Sequence, residues 1–152
     1  MSPVATSSLL SRLEDLTEFW LSTLELHADE LGFNFVGGYD EKIVTDYPAI
    51  ILGSGNTTKE VSGTHTFLIQ HNLDMYIHHA EADATHRTRS LEMLQLVTSL
   101  VNFLEADYTL GEKIIFGYVL SERPGLIQPR TTPSVFIVST IINYQATLKA
   151  RF

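Results

Sequence analysis

Residues 64–80 read "THTFLIQHNLDMYIHHA". Phe67, Ile69, Leu73, Met75 and Ile77 share one parity, and Thr66, Gln70, Asn72, Asp74 and His78 share the other. Alternation with a period of two predicts a strand with one face buried and the other wet. Leu68 and Tyr76 interrupt the polar parity without changing the period. The chain closes on a second stretch of the same kind, "SVFIVSTIINYQATLKARF", where Phe136, Val138, Ile142, Tyr144, Ala146 and Leu148 alternate with Ser139, Asn143, Gln145, Thr147 and Lys149. A strand of about 15 residues runs about 50 Å, whereas a compact domain of this size is about 40 Å across. Such strands must bend, or their hairpins must project from the body.

Each long strand is preceded by a helix and a shorter strand. In "SSLLSRLEDLTEFWLSTLELHADELG", Leu9, Leu13, Leu16, Trp20, Leu24 and Leu31 recur at helical spacing, acids fill the other face, and Gly32 follows as the expected stop. "EKIVTDYPAIILGSG" holds a short apolar run in which Pro48 cannot donate to a ladder, so the strand begins there or lies at an edge. The glycine-rich polar stretch 53–63 reads as a loop. Residues 84–107 return to helical spacing, with Leu91, Leu94, Val97, Val101 and Leu104 on one face and Asp83 placed to cap the start. "EKIIFGYVLSE" is a continuously apolar strand, and 123–133 is a proline-rich loop. The order helix, strand, strand is thus repeated. Two αββ units predict an α+β fold: one mostly antiparallel sheet, two helices on one face, the other face largely uncovered, and hairpin loops of about a dozen residues.

The 152 residues fit a single domain spanning 1–152, with no cysteine for a disulfide, a thiolate metal site or a cysteine nucleophile. No apolar run is long enough to span a bilayer, and the start "MSPVATSSLL" lacks the basic and apolar regions of a secretion signal, so a cytosolic origin is expected. The net charge of −8 argues against a large face that grips nucleic acid. It is unevenly spread: residues 1–83 carry 13 acids and 3 bases, residues 84–152 carry 5 acids and 7 bases. If those halves face different ways, copies can meet head to tail, acidic patch on basic patch.

The histidines of "HNLDMYIHHAEADATHRT" invite a metal-site reading. His65, His71 and His79 share a parity but lie about 20 and 26 Å apart along a strand, too far for one ion. His78 and His79 point to opposite faces. The local cluster left is His79, Glu81 and His86, which would support a metal-dependent hydrolase or oxygenase; the alternative is that these are polar surface and turn residues. "GSGNTTKE" lacks the ending of a phosphate loop, and no nucleophile elbow appears. No catalytic residue, metal or cofactor is therefore assigned. Arg87 and Arg89 sit where a helix start disfavours cations. Their partners are either Asp83 and Glu92 within the chain, or acids such as Glu14, Asp15, Glu18, Glu25, Asp29 and Glu30 on a neighbouring copy.

The order of elements, with "YPAIIL", "THTFLIQHNLDMYIHHA", "RTRSLEMLQLVTSLVNFL" and "FIVSTIINYQATL", resembles the tail terminator, or tail-completion, proteins of long-tailed bacteriophages, over about residues 7–148. The likeness lies in length, element order and hydrophobic pattern. It implies a small α+β subunit forming a hexameric ring at the head-proximal end of the tail, assembled in the host cytoplasm. Such a ring stops tube polymerisation and presents a surface for the head connector. Its partners would be copies of itself, the tail tube protein and the head–tail connector protein. DNA would only pass through the lumen, and no membrane is involved. Capping needs one face that mimics a tube subunit and another that refuses it. Ser54, Asn56 and Lys59 in the first loop, and Arg123 and Arg130 in the second, are the expected partner contacts. Arg87 and Arg89 against Glu14, Asp15 and Glu18 are the expected subunit interface. A neck or head-completion connector protein is the alternative within the virion.

Overall fold

The computed structural model describes residues 12–38, 46–53, 55–81, 91–124, 128–129 and 136–151. In chain order the elements are α1 (Leu13–Leu26), α2 (Ala28–Leu31), β1 (Phe35–Gly37), β2 (Ala49–Gly53), β3 (Thr57–Gly63), β4 (Thr66–Glu81), α3 (Leu91–Glu105), β5 (Phe116–Pro124), β6 (Gln128–Pro129) and β7 (Phe136–Arg151). The fold is α+β with one sheet, ordered β1-β2-β4-β7-β5, in which β3 also pairs with β4 and β6 with β7. All neighbours are antiparallel except β1 with β2.

The two period-two strands form the centre, paired along their whole length from Thr66↔Arg151 to Glu81↔Phe136. Their alternation is realised residue by residue. Ile69, His71, Leu73, Met75 and Ile77 of β4, and Val138, Ile142, Tyr144, Ala146 and Leu148 of β7, are buried on the helix side, while residues between them are mostly half-exposed. The helices fill the same core with Leu16, Trp20 and Leu24 from α1 and Met93, Leu96, Val97, Leu100 and Leu104 from α3. Trp20 joins the three parts: its ring meets Tyr144 of β7 edge-on at 5.3 Å and Phe103 of α3 at 6.3 Å. Burial pushes the Tyr144 phenol above its ordinary range, the Asp107 and Glu105 carboxylates push the same way, and the Trp20 indole N–H opposes them. Gly117 on β5 is the space the phenol occupies, since a Cβ there would meet Tyr144 OH.

Several expectations are corrected. Most of the glycine-rich stretch 53–63 is strand, not loop: β3 pairs with β4 from Thr57↔His71 to Gly63↔Thr66, and the turn is the two residues Thr64 and His65. Pro48 does precede the strand it was expected to start, and β2 and β3 together run beside β4 as one interrupted strand. Gly53 pairs with Asp74 and Thr57 with His71, so three residues on one side span two on the other, a bulge. In the second half Pro124 pairs with Thr140 and Gln128 with Ile137. The expected loop 123–133 thus contributes Arg123 and Pro124 to β5 and Gln128 and Pro129 to β6. The apolar strand expected from residue 112 starts at Phe116, because Leu110, Gly111 and Glu112 all adopt left-handed φ, which breaks extension. The first helix stops at His27 and resumes as α2, ended as expected by Gly32 at φ 89°.

The second helix buries Val97 and Leu104 of its expected face but is partly turned from it. Leu91 and Leu94 are exposed, and Met93, Leu96 and Leu100 take the core. Its sequence carries two overlapping apolar stripes, and the sheet buries the one centred on Leu100. Asp83 lies outside the described residues.

Candidate interaction surfaces

On the sheet face away from the helices, polar side chains form ladders across strands. Asn143 donates to Asp74 Oδ1 at 2.8 Å, Gln145 donates to Asn72 Oδ1 at 3.1 Å, and Tyr118 OH donates to Gln145 Oε1 at 3.1 Å. The rungs follow from register, since Asp74 stands opposite Asn143, Asn72 opposite Gln145, and Tyr118 opposite Gln145 from the other side. His78 Nδ1 lies 2.7 Å from Ser139 Oγ, and its ring stacks on Tyr76. These groups largely satisfy one another, and the centre of the face carries one fixed charge, Asp74. The centre of the face therefore offers little grip to phosphate.

Burial lowers the pKa of His78 below the ordinary 6.5. The folded chain therefore takes up this proton at lower pH than the unfolded chain does. The contribution is fully present above 6.5 and is lost as pH falls through the folded-state value. His78→Asn is expected to flatten the loss of stability between neutral and mildly acid pH, read as urea midpoints at several pH values.

The other histidines have structural partners. His71 is 1% exposed, with Nδ1 2.8 Å from the Thr57 hydroxyl of β3. Its odd parity, shared with Ile69 and Leu73, carries it to the core. His79, also on the helix side, places Nε2 2.7 Å from Glu92 Oε2 at the start of α3. His86 lies outside the described residues, and Glu81 pairs through its backbone with Phe136. Among the described residues no group of three metal-ligating side chains converges.

The remaining expected residues fall in three places. Glu14 and Glu18 are exposed and Asp15 half-exposed on α1, where Glu25, with Asp29 and Glu30 of α2, extends an acidic outer surface. Glu30 also meets His27 Nδ1 at 3.3 Å. Asn56 and Lys59 belong to the β3 arm: the Asn56 carbonyl accepts from Asn72 N–H at 2.8 Å, and the Lys59 ammonium lies 5.9 Å from the Phe67 ring centre. Arg123 is exposed on β5, opposite Ile141. Ser54, Arg87, Arg89 and Arg130 lie outside the described residues.

Sequence reasoning missed the arm itself. All seven residues of β3 are exposed, so no apolar alternation marks it. It also missed the exposed apolar side chains in and just before β5: Tyr108, Ile115, Phe116 and Leu120 are exposed by 63%, 45%, 41% and 50%. A clustering of large apolar residues in 108–120 beyond what one strand face can bury was the available signal.

No protein-family model matches the chain, and no curated protein matches it. Among solved structures it is similar to a chain from the virion of a native gene transfer agent (GTA) particle, at 7% identity and a TM-score of 0.42, over 80% of this chain and 84% of that chain.

Proposed function

We propose that this chain is a structural virion protein that assembles as a ring on the end of a phage tail tube, stops its growth and offers the surface for head attachment. The observation that carries the reading is the exposed strand at one end of the sheet. β4 and β7 are 16 residues each, and β3 runs beside β4 there with all seven of its residues exposed. A seven-residue strand with no buried face adds little to the stability of its own chain, and a partner is the natural purpose of such an arm. The ladder-satisfied open face suits a wall past which DNA moves without being held. The acidic surface of α1 would meet Arg87 and Arg89 of the next copy, and Asn56, Lys59 and Arg123 would serve contacts along the arm and the β5 edge.

The test is growth of tubes from a cognate tail tube protein in the presence of this chain. Substoichiometric addition is expected to halt elongation and shorten the tubes, read by light scattering, while bovine serum albumin at the same concentration leaves growth unchanged. Tubes that grow at the same rate and to the same length would sink the capping role.

A further inference from the structure

We infer that the cleft between α2, the end of β4 and α3 is a socket for an arginine side chain of a second copy. Its chemistry is read from the cleft alone, and the second copy as the source rests on the ring reading above.

The cleft holds about 220 Å³. Sites for drug-sized ligands run to roughly 300–1,000 Å³, so the space is on the scale of one side chain. Leu31 at the end of α2, Pro48 before β2 and Leu96 of α3 give it apolar walls, while His79 of β4 and Glu92, Gln95 and Ser99 of α3 give it polar ones. The α3 residues stand three or four apart and share one face of the helix, with Glu92, Gln95 and Ser99 exposed at its rim and Leu96 nearly buried beneath them.

One contact fixes the charge of the cleft. His79 Nε2 lies 2.7 Å from Glu92 Oε2, and His79 Nδ1 is buried with no hydrogen-bond partner among the described residues. A proton on Nδ1 would be stranded, so the ring carries its proton on Nε2 and donates it to the carboxylate. Glu92 thus stays an anion held in one direction, and Oε2 is the oxygen engaged. Among the described residues the cleft is lined by this one carboxylate and by no lysine or arginine. Asp29 and Glu30 immediately precede its wall at Leu31. A cation is the ligand that suits such a field.

Arginine fits the whole lining. Its methylenes lie along Leu31, Pro48 and Leu96, and its planar fork offers separate N–H groups to Glu92 Oε1, the Gln95 amide oxygen and the Ser99 hydroxyl. A lysine ammonium is a single point and satisfies fewer of these acceptors. The chain itself supplies the complement. Five of its six arginines follow residue 86, and the ion pairs among the described residues involve histidine, not arginine or lysine. Each copy therefore has arginines to give and a socket to receive one, the complementarity that a head-to-tail ring repeats at every contact.

The tests use the full chain. In nuclear magnetic resonance, acetyl-arginine methylamide at millimolar concentration is expected to shift the amides of Glu92, Gln95 and Ser99, and the neutral acetyl-citrulline methylamide is not. No shift with the arginine probe, or equal shifts with both, overturns the socket. For the source, Gln95→Arg fills the cleft from within, three residues after Glu92, the spacing of a helix ion pair. This variant and Glu92→Gln should each need about tenfold more protein to halt tube growth, the worth of one charge-assisted contact, with a urea midpoint for Gln95→Arg no lower than that of the wild type. Capping unchanged in both variants overturns the second copy as occupant and leaves the ring reading standing. A photoreactive benzophenone on Thr98→Cys, exposed beside Ser99 in a chain with no other cysteine, is expected to capture an arginine-bearing peptide of this chain on the tube. Capture of tube protein alone overturns the second copy, and wild-type protein that leaves tubes growing removes the ring reading together with it, while the probe result decides the socket by itself.

Discussion

Trp20→Ala is expected to lower the unfolding free energy by about 3–5 kcal/mol, the usual cost of deleting a buried aromatic side chain. Trp20 is 2% exposed and stands where α1, α3 and the sheet meet, against Phe19, Phe103 and Tyr144. Removing it opens a cavity that three elements border, and none can collapse into it without leaving the other two. Against a total stability of about 5–15 kcal/mol, the loss leaves little margin. Trp20→Phe should lose less, because most of the contact area remains. As the chain has one tryptophan, unfolding of the alanine variant is followed by circular dichroism in urea. A shift in stability below about 1 kcal/mol would mean that the helices do not share one core through this residue.

Gly55→Ala is the second large effect, and it acts on the backbone. A Cβ at this position would overlap the Asn72 carbonyl, which is main chain and has no rotamer to yield. The bulge between β2 and β3 must then open, and with it goes the bond from Asn72 N–H to Asn56 O. Overpacking against fixed atoms costs about 1–3 kcal/mol, and we expect the upper end here. Gly111→Ala is the comparison. Its Cβ would come only within 4.0 Å of the Lys113 ammonium, so the cost is the left-handed φ alone, about 1–2 kcal/mol. Equal urea midpoints for the two variants would contradict the close approach at Gly55.

The parts of the fold that the sequence announces are those where one face is buried and the other wet. β4 and β7 could be read to within a few residues because each alternate side chain is sorted by the same core. β3 could not. Its residues Thr57–Gly63 are all exposed, so it has no inside to mark, and it is a strand only because β4 lies opposite with its ladder unfilled. The turned face of α3 has a different cause: Leu91 and Leu94 are as apolar as Leu96 and Leu100, and periodicity alone cannot choose between adjoining stripes. The histidine cluster was resolved in part. Parity separated His71 from His79 and from a shared ion, but the contact of His79 with Glu92, thirteen residues on, depends on where α3 lands. The polar ladders of the open face were visible as residue types, and their pairing required the register of β4 against β7.

Electron microscopy of tail tubes incubated with the purified chain tests the capping role most directly. The account predicts one ring of density at one end of each tube, absent from tubes incubated without the chain. Tube ends that remain bare at saturating protein would contradict it.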